Sequence, residues 1–192
     1  MRSALLALLS VVATPVLAET WPELALQSEH PVEGMRGRNL SGLALCQGEM
    51  WAVSDRDDDQ IYRLDTRYAL WQAEPLTLDV PPPPESGLPW GVRMMGKAIS
   101  PLRGGDLDFE GITCDDAGNR YVVSESYAAV LNIPQTGSPA WLKIDSALVR
   151  QARASGMLLH FNALFEGIAV NPQGNQIWLA AERERRGVLT IR

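Results

Sequence analysis

The stretch EGITCDDAGNRYVVSESYAAVLNI, residues 110–133, reads as three short strands in succession. Branched and aromatic residues in RYVVS and AVLNI favour extended backbone. Between the first two strands lies Gly118, in a run of Asp and Asn where a turn needs positive φ. The same pattern recurs as SGLALCQGEMWAVSDRDDDQIYRLD, residues 41–65, and as EGIAVNPQGNQIWLAAERERRGVLTIR, residues 166–192. Each copy runs from an acid or Ser, through Gly and an apolar strand, to a Gly-containing turn. An alternating strand, a second acid and a further strand follow. The leading glycines are Gly42, Gly111 and Gly167, and the turn glycines Gly48, Gly118 and Gly174.

This triple repeat predicts an all-β protein of propeller-type blades, about forty residues and four antiparallel strands each. Residues 71–80 and 140–145 supply the fourth strands of the first two blades, which lie near residues 40–80 and 106–145. A third blade near 162–192 lacks its fourth strand, and residues 24–32 offer a stray one. Three blades do not close a ring, which typically takes four to eight, so the expectation is an incomplete propeller. Only residues 146–156 read as helix. Residues 81–105, opening with four prolines, read as a long surface loop between blades.

The chain has 192 residues, 46% of them hydrophobic, which suits one globular domain after residue 18. Residues 1–18 read as a signal peptide: a basic start, an apolar core and a small residue at Ala18. The apolar run is too short to span a bilayer. The expectation is an exported protein, periplasmic or secreted. A net charge of −6 argues against a nucleic-acid partner. For Cys46 and Cys114 the sequence leaves open a disulfide or two small buried thiols. Because inner strands of neighbouring blades diverge, the expectation is that they stay unbridged.

Within each hairpin the start of one strand lies beside the end of the next. Glu110 therefore shares a blade end with Glu125, Glu166 with Glu182, and Ser41 with Asp55. All blades point the same way, so Glu110, Glu166, Asp55, Glu125 and Glu182 converge on one mouth of the channel. Carboxylates crowded together need protons, Arg counter-ions or a metal. Hard oxygen donors without His or Cys suit Ca²⁺ or Mg²⁺. The alternative is a hydrated acidic rim balanced by Arg56, Arg183 and Arg185. Arg36 and Arg38, just before the first blade, are candidates to orient a phosphate, or simple surface charges.

DLDFEGIT with NRYVVSES, and FEGIAVNPQGNQIWLAAERERRG, resemble the bacterial phytase-like propeller family described as having esterase-like activity of phytase. The resemblance covers residues 40–192 and is weakest in the first copy, where Ser41 replaces the Glu. The Glu-Gly opening is also similar to that of calcium-dependent gluconolactonase-like propellers. The resemblance implies hydrolysis of phosphate or carboxylic esters of small molecules. The sequence itself holds no G-x-S-x-G, P-loop or H-E-x-x-H motif. His30 and His160 are isolated, and Ser124 and Ser126 beside Glu125 have no His partner. A hydrolase here would use a metal, with no organic cofactor. The other reading is a non-catalytic propeller serving as a binding module in the cell envelope.

Overall fold

The computed structural model describes residues 24–183 and 185–192. The expected signal peptide lies outside these residues. Three separate sheets carry the chain, with inner strands that pack against one another. The first blade contains β1 (Val32–Glu33), β2 (Gly42–Cys46), β3 (Glu49–Val53), β4 (Gln60–Asp65) and β5 (Trp71–Thr77), in the order β1-β5-β4-β3-β2. Then follows a helix, α1 (Trp90–Arg103). The second blade is β6 (Phe109–Cys114), β7 (Arg120–Ser124), β8 (Ala129–Ile133) and β9 (Ala140–Trp141), in chain order. After α2 (Ser146–Ala154) comes the third, β10 (Phe165–Val170), β11 (Ile177–Ala181) and β12 (Gly187–Ile191).

Strand alternation explains how one sheet serves two interfaces. On β7, Val122 joins the core shared with the first blade, beside Trp51, Val53, Ile61 and Leu131. Its neighbours Tyr121 and Val123 face the other way, into the core with Phe165, Leu179 and Leu189 of the third blade. The inner strands β2, β6 and β10 lie side by side. A Cβ on Gly42 would come within 2.9 Å of the Gly111 Cα, and one on Gly111 within 3.2 Å of Ile168. The leading glycines of the repeat are therefore spacers, whose missing side chains let neighbouring backbones approach.

That close approach corrects the expectation for the cysteines. Cys46 and Cys114 end β2 and β6 and form a disulfide, with Cα atoms 5.9 Å apart. The glycine pair keeps the two strands from diverging before they reach their cysteines.

Residues 81–105 also differ from the expected loop. Residues 90–103 form α1, although they contain Gly91, Gly96 and Pro101 and lack a side-chain N-cap. Packing overrides propensity here: Val92 packs against the core, and a Cβ on Gly96 would lie 3.6 Å from the Phe161 ring. Gly104, at φ 95°, ends the helix by donating to the Ser100 carbonyl. The prolines before α1 are anchored as well, since the Trp141 indole donates to the Pro81 carbonyl at 2.8 Å and Leu88 is buried. Two edge strands are shorter than expected. Of residues 24–32 only Val32 enters a strand: with Glu33 it forms β1, which runs parallel to β5 of the first blade, Val32 opposite Trp71 and Glu33 opposite Gln72. The fourth strand of the second blade is the two-residue β9.

Candidate metal centre

The acids of the repeat collect at the end of the blades opposite the Gly turns, and a β-bulge aims two of them. In the β6–β7 ladder Phe109 faces Ser124 and Gly111 faces Val123, leaving Glu110 as the extra residue. The β10–β11 ladder skips Glu166 in the same way. A bulge frees a residue from the alternation and re-aims its side chain. The first blade, with Ser41 in place of the acid, pairs without a bulge from Gly42 onwards.

Asp55, Asp108 and Glu110 form the tightest group, each offering a carboxylate oxygen within 4.8 Å of the others. Asp55 follows β3 and is held by its neighbours: the Asn39 amide donates to its Oδ1 at 2.8 Å. Its backbone N–H donates to the Ser41 hydroxyl at 3.1 Å. Asp108 sits at φ 57°, is 2% exposed, and its carbonyl accepts from the Glu125 N–H. Both acids are thus fixed by backbone and side-chain contacts before any ligand arrives.

Glu125 is buried behind them and accepts from the Leu164 N–H at 3.0 Å. Burial, with Asp108 and Glu166 nearby, pushes its carboxyl up to about 8, so near neutral pH it keeps a proton. Glu166 is half-buried, and its carboxyl is raised by burial and by Glu182 and Asp108. Glu182 pairs with Arg183 at 2.9 Å. The five expected acids therefore divide. Asp55 and Glu110 join Asp108, while Glu125, Glu166 and Glu182 lie beside that group.

Asp108 is the residue that sequence reasoning left without a role, although it stands in the D-F-E-G-I run. Its signal is faint because the third blade has Leu164 at the matching position. Asp106, two residues before Asp108, accepts a hydrogen bond from the Ser100 hydroxyl near the end of α1. Its N–H and that of Leu107 donate to Asp58 of the first blade. The charge at the start of β6 thus serves two purposes, fastening the chain below α1 and building the acidic cluster.

Arg36 is paired with Asp57, at 2.9 Å, and with Asp59. Arg38 is exposed at φ 56°. Arg56 lies 3.9 Å from Asp55, and Arg185 donates to the Ser155 carbonyl. His30 stacks on Trp71 in the first blade, with ring centroids 4.7 Å apart. Ser124 donates to the Leu107 carbonyl, and the Ser126 hydroxyl lies 3.4 Å from Asp108 Oδ2.

The donor set fits a hard divalent cation. With Ca–O distances of about 2.3–2.6 Å, oxygens up to about 4.6–5.2 Å apart can share one calcium, whereas about 2.0–2.1 Å for magnesium demands a tighter cage.

Blade-type sheets around close-packed inner strands define a propeller-type protein. The chain belongs to the Phytase-like family, described as esterase-like activity of phytase, whose pattern it matches over residues 36–188. No curated protein matches the chain. Among solved structures it is similar to virginiamycin B lyase from Staphylococcus aureus, at 12% identity and a TM-score of 0.42, over 79% of this chain and 40% of that one. It is also similar to a putative 6-phosphogluconolactonase from Bacteroides uniformis, at 11% identity and a TM-score of 0.40, over 84% of this chain and 40% of the other. The chain thus spans well under half the length of either.

Proposed function

We propose that this chain carries the acidic mouth of an exported, calcium-dependent hydrolase of carboxylic or phosphoric esters. The observation that supports it most is the Asp55, Asp108 and Glu110 cluster, whose oxygens lie within 4.8 Å of one another. These three residues would hold the cation, with Asn39 orienting Asp55. A bound calcium would act as a Lewis acid toward the ester's acyl or phosphoryl oxygen. The neighbouring carboxyls have a separate part. Glu166, half-buried and reluctant to ionise, suits the exchange of a proton with a reacting oxygen. Glu125, almost wholly buried, stays protonated and limits the negative charge around Asp108. Export is supported by the leader-like residues 1–18 and by the disulfide. No helix among the described residues is long and apolar enough to cross a membrane.

Chromogenic phosphate and acyl esters, offered to the wild type and to Asp108→Asn with calcium or with EDTA, test the reading. Turnover that needs both calcium and Asp108 is the expected result. Calcium binding without turnover of either ester class would replace the hydrolase with a binding module.

A further inference from the structure

A cleft of about 730 Å³ runs between α1 and the proline segment before it. One wall is a single stripe of α1: Trp90, Arg93, Met94 and Lys97 recur at helical spacing. Pro83 and Pro84 face them. Both walls are fixed, since Val92 and Gly96 seat the helix and the Trp141–Pro81 bond seats the prolines. The stripe is unusual in what it leaves open to solvent. Trp90 is 70% exposed and Met94 44%, and no ion pair among the described residues engages Arg93 or Lys97.

Apolar surface beside unpaired cations selects an anion that carries an apolar body. The aromatic face of Trp90 and the Met94 thioether take the body, and Arg93 and Lys97 take the charge. The cleft does not favour a polyanion, because the carboxylates of Glu85 and Asp106 also line it. Its floor leads to the acids through Ser126, which lines the cleft and whose hydroxyl lies 3.4 Å from Asp108 Oδ2.

We infer that the cleft between α1 and residues 83–86 is the substrate subsite, and that it takes an ester with one negative charge and an aromatic or similarly bulky apolar group. This inference rests on the hydrolase reading for its word "substrate", but binding in the cleft does not depend on calcium.

The test is a ligand-observed NMR titration with methyl phenylphosphonate and with benzoate, two singly charged aromatic anions of different head group. Both should bind the wild type. The exposed double variant R93E/K97E should weaken them about tenfold or more, as expected for losing charge-assisted bonds, and W90A about fivefold. Methyl methylphosphonate, which has no aromatic body, should bind more weakly than its phenyl counterpart, and inositol hexakisphosphate should gain nothing from its extra charges at physiological salt. Equal binding of the phenyl and methyl compounds, or indifference to R93E/K97E, would overturn the inference. The two readings fail separately. Loss of calcium binding with Arg93-dependent anion binding intact removes the metal and keeps the cleft. Calcium binding alongside anion binding that ignores both variants keeps the metal and removes the cleft.

Discussion

Removing the Cys46–Cys114 bridge should cost this protein a large part of its stability. The two residues are 68 apart in sequence, so in the unfolded chain the bond closes a long loop. Loop-closure entropy for that length is worth about 4 kcal/mol in the chain-entropy model. In a domain of this size that corresponds to a fall in Tm of about 8–16 °C. Cys46 is 2% exposed, so alanine is the better replacement, because serine would bury a hydroxyl. The assay is urea denaturation of wild type and Cys46→Ala/Cys114→Ala, with mass mapping of unreduced peptides to verify the bridge. A stability loss below about 1 kcal/mol, well outside the expected range, would refute the reasoning. So would recovery of the two peptides as free thiols, since the glycine-spaced strands would then not hold the cysteines together.

Gly42→Ala should destabilise the protein by about 1–3 kcal/mol, because its Cβ would meet the backbone of Gly111 at 2.9 Å; the urea midpoint reads this directly. Asp115 bears on pH. Burial opposes its ionisation, but Asn119 and Tyr121 hydrogen bonds outweigh burial and hold the carboxyl below its usual range. A depressed folded pKa contributes stability that is full above the unfolded value, near 4, and is lost as pH falls through the folded one. Asp115→Asn should therefore be less stable than wild type at pH 7 by about 1–3 kcal/mol, with the gap closing as pH falls through the depressed folded value. A gap independent of pH would assign the effect to packing alone.

The blades were legible because their signals are local: alternation, Gly turns and a repeated Glu-Gly opening. What the sequence hid depends on contacts between distant segments. Residues 90–103 carry two glycines and a proline that speak against helix, and only the seat against Val92's core and Phe161 makes them one. The cysteine bridge was obscured because its cause is the Gly42–Gly111 approach, which no single strand reveals. The convergence of Asp55 and Glu110 followed from hairpin geometry. Asp108 did not, because its placement relies on a positive φ just before a bulge, and alternation says nothing about either.

Calcium titration followed by thermal melting tests the central claim, that Asp55, Asp108 and Glu110 form a cation site. Binding to the folded state alone stabilises it by about 2.7 kcal/mol at one hundred times Kd, a rise in Tm of about 5–10 °C. Asp108→Asn and Glu110→Gln should each remove most of that rise, and Asp116→Asn, on the turn at the opposite end of the second blade, should keep it. A wild-type melting curve that calcium leaves unmoved would contradict the account.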